Sequence, residues 1–237
     1  MVKTAYIAQL LEEKHHTGPI TGFEACKKCK GMCCYKNACS CAPSDVGEEV
    51  TVESVERMLA SGKYMITATY VVDQTCKTDL PVPIRVIPHI SAREVDAGEV
   101  HISLLHSKCK MLGKNGCTLS EEERPTQGLL LIPKNDDECE DLMPFMSEIW
   151  APYAKVLDKV VKRKTGMTSQ QHLEKEAKTL LRELRGKLLM AALYDGGSIT
   201  HGEYMALSVF DVWGALPEHE SWALRELVDV VIPDYPG

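Results

Sequence analysis

CKKCKGMCCYKNACSC, residues 26–41, carries six cysteines in sixteen positions, and its reading sets the expectation for everything around it. Gly31, Asn37 and the lysines Lys27, Lys28, Lys30 and Lys36 leave neither a helical nor a strand period, so the stretch reads as a ligand loop rather than a core element. Cys26 and Cys29 form a Cys-x-x-Cys pair. A turn of that length can aim two sulfurs at one ion, because it points backbone amides at the thiolates and favours their ionised form. Gly31 lets the chain come back with more ligands. Cys33 and Cys34 are neighbours whose side chains diverge, so one of them is expected to serve a second metal, a bridging role or the core. Cys39 and Cys41 follow, and the surrounding lysines offset thiolate charge.

Such a loop needs ligands from elsewhere, and the chain offers Cys109, Cys117 and Cys139, with Cys76 a less certain fourth. Between Cys109 and Cys117 lie Gly113, Asn115 and Gly116, a turn expected to return the second sulfur near the first. Cys76 is equally well read as a small buried hydrophobe. His15 and His16 precede the loop, and His101 and His106 precede Cys109. Imidazole suits zinc and iron, but these residues also read as a solvated helix end and as sheet-surface residues.

Residues 26–133 resemble the YkgJ-type cysteine-cluster family, described as zinc- or iron-chelating domains with a CxxCxxCC signature. Cys26, Cys29, Cys33 and Cys34 resemble that signature, with three residues rather than two between Cys29 and Cys33. Pro43, Ser44 and Asp45 resemble the family's short helix start in altered order. Cys109 with Leu112, then Cys117, then Arg124 and Pro125 resemble its second half. The family's next cysteine is replaced here by Gly128, which implies a substitute ligand in Cys139, or in Cys39 and Cys41, or an incomplete site. What the resemblance implies is metal binding without a settled reaction.

Ten cysteines and eight histidines in 237 residues mean either disulfides or metal. The opening residues 1–16 show the spacing of a short amphipathic helix and no secretory leader. No apolar run is long enough to span a bilayer. A cytoplasmic location is therefore expected, where thiols stay reduced and metal ligation or redox chemistry is favoured over a disulfide framework. The net charge of -7 argues against general nucleic-acid binding. No phosphate loop, dinucleotide fingerprint, His-Glu-x-x-His or serine-hydrolase elbow occurs, and no catalytic residue is assigned.

The elements around the cysteines point to an α+β protein: a cysteine-rich metal-binding module with a small antiparallel sheet, residues 1–141, followed by an α-helical bundle, residues 142–237. Strands are expected at 66–72, 82–88 and 100–104, the middle one at an edge because of its prolines. Helices are expected at 52–61, 142–164, along the Leu173 to Ala191 stripe, after Thr200, and at 222–231. The functional expectation is coordination of zinc or iron by Cys26, Cys29, Cys33, Cys34, Cys39, Cys41, Cys109, Cys117 and Cys139. The alternatives are an iron-sulfur protein with an electron-transfer or redox role, and a protein-interaction module held by structural metal.

Overall fold

The computed structural model describes residues 3–14, 31, 34–35, 38–78, 80, 82–133, 139–194 and 199–231. Among them the architecture is mixed, with helices and three small two-stranded sheets, in keeping with the α+β expectation. No helix among the described residues is long and apolar enough to cross a membrane.

Helix α1 (Lys3–Glu13) opens the described chain, followed by the short α2 (Pro43–Val46) and α3 (Val52–Ala60). Thr51 starts α3 by accepting the Ser54 amide at 3.1 Å. Gly62, at φ 71°, ends it, donating its N–H to Leu59 O. Strands β1 (Tyr64–Val72) and β2 (Ile84–Ala92) pair with each other. Pro88 lies inside β2, a strand that outside its pairing with β1 is bonded near its end, where Cys41 N donates to Ile90 O and Ala92 N to Cys39 O.

The third expected strand, 100–104, is not formed. Val100 makes an isolated parallel bridge with Ile66, flanked by Ile66 N→Glu99 O and His101 N→Ile66 O, both 2.8 Å. Beyond it Ser103 Oγ accepts the Leu105 amide at 3.0 Å, and this local turn replaces a ladder.

The hairpin β3 (Leu112–Gly113) and β4 (Gly116–Cys117) is followed by α4 (Thr126–Leu130), then by β5 (Leu131–Pro133) and β6 (Cys139–Asp141). The expected 142–164 helix is broken into α5 (Met146–Trp150), a 3-10 turn (Ala151–Tyr153) and α6 (Ala154–Thr165). Pro152 is the reason: it has no N–H to continue the ladder. Gly166, at φ 78°, closes α6 with its amide on Lys162 O. The remaining helices are α7 (Ser169–Tyr194), α8 (His201–Val212) and α9 (Glu218–Val231). Thr200 and Glu203 form the expected capping box, with Glu203 N→Thr200 Oγ1 at 3.2 Å and Thr200 N→Glu203 Oε2 at 2.9 Å.

Two compact units result. The first comprises Met1–Thr69, Val86–Ile102 and His106–Ser169. In it α1 packs Ile7 and Leu10 against Leu129 and Leu130 of α4 and against Leu142. Helix α3 packs on α6, Val55, Leu59, Leu157, Val160 and Val161 all being fully buried. The second unit comprises Tyr70–Arg85, Ser103–Leu105 and Gln170–Gly237. In it α8 packs on α9, and the ring of Trp213 meets Phe210 and Tyr70 edge-on.

Candidate functional site

Of the expected ligands, Cys26, Cys29 and Cys33, with His15 and His16, lie outside the described residues. Gly31 adopts φ 77°, and a Cβ there would sit 2.5 Å from Leu112 Cδ1, so only glycine fits this turn. Its carbonyl accepts the Cys34 amide at 2.9 Å. Cys34 in turn accepts the Cys109 amide on its carbonyl at 2.8 Å. The Cys109 segment is fastened to β2's exit by Lys110 N→Arg93 O and Val95 N→Lys108 O. Cys39 binds the same region through Ala92 N→Cys39 O at 2.9 Å. Cys34, Cys39 and Cys109 thus share one buried cluster with Ala38 and Ala92.

The sulfurs of this cluster are not equivalent to that of Cys41. The Cys34 thiol, hydrogen-bonding the Cys109 sulfur, holds Cys109 below the ordinary thiol range. The Met111 backbone acts the same way, while burial and the nearby Cys117 and Glu94 oppose it. Cys41 is fully buried, and burial pushes its thiol well up, the Asp45 carboxylate adding to this and Lys3 opposing it. Cys41 is an inert core thiol.

The expected thiolate metal centre is corrected by this arrangement. Among the described residues no group of three or more His, Cys, Asp or Glu side chains is placed to hold a metal ion. The functional expectation of metal binding, with its iron-sulfur and structural-metal alternatives, falls with it, and the described residues show no cysteine-rich metal module. The physical reason is that backbone pairing gathers Cys34, Cys39 and Cys109 but holds the other described cysteines elsewhere. Cys41 is drawn into the core. Cys117 stands opposite Leu112 in the β3–β4 hairpin, so the expected turn exists but is a strand pair. Cys139 stands opposite Pro133 in the β5–β6 hairpin, and Cys76 Sγ lies 3.3 Å from Ile84 O. His106 Nδ1 is 2.9 Å and His101 Nε2 is 3.6 Å from Glu94, a carboxylate only 2% exposed that also accepts the Ser107 amide.

Around the cluster stand groups that periodicity in the sequence did not reveal. Gly128, at the position where the family resemblance expects a cysteine, lets α4 approach closely. A Cβ there would lie 3.0 Å from Arg124 Nε and 3.5 Å from Cys39 Sγ. Arg124 is buried. Asp45 joins α2 to α4: its Oδ2 accepts the Ala42 and Thr126 amides at 2.8 and 2.9 Å, and its Oδ1 accepts the Thr126 hydroxyl at 3.0 Å. Only the altered-order Pro43-Ser44-Asp45 resemblance hinted at it.

Ser40 Oγ lies 3.2 Å from His89 Nε2, both residues buried. His89 Nδ1 makes no hydrogen bond of ordinary geometry, so the pair lacks the orienting group and the access that a hydrolytic dyad requires. Burial lowers the His89 pKa to about 4, His106 acting in the same direction and the Ile87 backbone opposing. An imidazole free to titrate near 6.5 in the unfolded chain and held neutral to about 4 in the folded one makes the unfolded state the better proton acceptor between them. His89 stability is therefore complete above about pH 6.5 and is lost as pH falls, by about 2 kcal/mol between roughly pH 6.5 and 5. Urea denaturation at the two pH values should show that loss in the wild type, and His89→Gln should flatten it.

No family model, curated protein or solved structure matches the chain.

Proposed function

We propose that this protein is a thiol redox responder, in which a small hydroperoxide oxidises Cys109 and Cys34 closes the product as a disulfide. One observation carries the reading: the chain is hydrogen-bonded at these two residues through both backbone and sulfur, with Cys109 N→Cys34 O at 2.8 Å and the Cys34 thiol on the Cys109 sulfur. A hydrogen bond from the amide of one residue to the carbonyl of the other brings the two backbones together, and a disulfide spans Cα separations of roughly 4.4–6.8 Å. Both are thiols in this structure.

The chemistry follows the oxidation ladder of cysteine. The Cys109 thiolate attacks one peroxide oxygen, the O–O bond breaks, and the departing oxygen takes a proton to leave as water. The Cys34 sulfur then attacks the Cys109 sulfenic sulfur, the S–O bond breaks, and a second water leaves. Two thiols and one hydrogen peroxide give one disulfide and two waters. Cys109 suits the attacking role because its thiolate is favoured, and Cys34 suits the resolving role because it is already the hydrogen-bond donor. Exposures of 4% for Cys34 and 3% for Cys109 select an oxidant as small as a peroxide over a bulky disulfide.

Reduced protein treated with equimolar hydrogen peroxide should lose two hydrogens by mass, and peptide mapping should join Cys34 to Cys109. Cys34→Ser should instead accumulate a sulfenic acid that dimedone traps at Cys109, and Cys109→Ser should form no such link. A link between other cysteines, or intact thiols after treatment, would refute the assignment. Circular dichroism of both variants separates loss of reactivity from loss of fold.

A further inference from the structure

A cleft of about 320 Å³ opens on the first unit, away from the thiols just discussed, between α1, α2 and the α5 segment. Tyr6 of α1 and Tyr153 of the 3-10 turn supply aromatic walls, Val50 an apolar one, and Glu48 and Glu148 two carboxylates. The volume lies in the range of roughly 300–1,000 Å³ that small-molecule sites occupy. Tyr153 is braced from behind by Trp150, whose ring it meets edge-on at 6.2 Å, so this wall is held by the core.

Three features of the lining favour a cation. Glu48 and Glu148 form no ion pair with a described residue, unlike Glu56, Glu99 and Glu123 of the same unit. Burial first, and then the Glu13 and Asp45 carboxylates, raise the Tyr6 pKa, so its ring offers the cleft a neutral face. An anion would meet two carboxylates with no basic side chain among the described lining residues.

We infer that this cleft binds an organic ammonium group, its charge met by Glu48 and Glu148 and its methylenes laid against the rings of Tyr6 and Tyr153. Aromatic faces attract ammonium groups and pack alkyl chains, so both halves of such a ligand find a match. The inference does not depend on the redox reading, since it uses none of the sulfurs.

The probe is cadaverine, with 1,5-pentanediol as its neutral counterpart of similar length, titrated calorimetrically into the reduced full chain at low ionic strength. Saturable binding of cadaverine, no binding of the diol, and weakening by added salt are expected. The double variant E48Q/E148Q should bind about tenfold more weakly, with an unchanged melting curve because both side chains are exposed. Absence of saturable heat up to about 1 mM, a weak affinity by any standard, would overturn the inference. So would equal binding of the diol, or an affinity indifferent to both salt and the double substitution.

Discussion

Asp45→Ala should destabilise the protein by about 3–5 kcal/mol, the usual cost of removing one partner from a buried, hydrogen-bonded ion pair. The Asp45 side chain is 4% exposed and stands 3.0 Å from Lys3 Nζ, itself 16% exposed. Four donors converge on it: Lys3, the Ala42 and Thr126 amides, and the Thr126 hydroxyl. Alanine would leave the Ala42 and Thr126 amides and the Thr126 hydroxyl without this acceptor, and buried unsatisfied donors carry their full desolvation cost. Lys3 also donates to Glu122 O at 3.1 Å and to Arg124 O, so the loss would loosen the turn ahead of α4 as well as α2. Asp45→Asn keeps one acceptor oxygen and should recover part of the loss. Urea midpoints of the three proteins test this, and equal midpoints for wild type and Asp45→Ala would show that water replaces the carboxylate.

Trp150→Ala is the second large effect, about 3–5 kcal/mol for deleting an aromatic side chain of this size from a core. Trp150 is fully buried, and its indole N–H donates to Cys41 O at 2.8 Å. Trp150→Phe divides the effect, because it keeps much of the volume and leaves the Cys41 carbonyl without its donor, at about 1–3 kcal/mol for the unsatisfied group. A phenylalanine variant as unstable as the alanine one would mean that the hydrogen bond, not the volume, dominates. Thermal or chemical unfolding of both variants decides between these outcomes.

Several features were legible from residues close in sequence. Thr200 with Glu203, and Gly62 and Gly166 after their helices, are signals within one helical turn, where the hydrogen bond that defines the element is made by residues three or four apart. Their caps are formed as expected. The β-rich run at 66–72 was also legible, and β1 extends it by two residues, to Tyr64. Alternation at 100–104 misled because Ser103 offers its hydroxyl to a local amide, a competition that periodicity does not register. The long helix from 142 was misread across Pro152, whose missing N–H outweighed the apolar spacing on either side.

The cysteine loop shows where local reading ends. Density of thiols in the sequence suggested a chelating group, yet among the described residues Cys34, Cys39 and Cys109 share one cluster while Cys41, Cys117 and Cys139 are held by other pairings, and no group of three is placed to hold a metal. Cys41 is claimed by Trp150, 109 residues away, and α2 is tied to Thr126, 81 residues from Asp45. Spacing along the chain fixes how near two sulfurs can come, not which way the intervening backbone turns them.

By itself, then, the sequence determined the elements whose stabilising contacts are local: helix starts and stops, the glycine turns, the apolar stripes and the mixed helix-and-sheet class. Only the tertiary structure decided which thiols meet, that the Cys109 thiol is held below the ordinary range while burial pushes that of Cys41 above it, that His89 is held neutral, and that two tyrosines and two glutamates line one cleft. The physical reason is that burial and hydrogen bonding between remote segments set the environment of a side chain, and environment rather than residue type decides whether a thiol, an imidazole or a carboxylate can act.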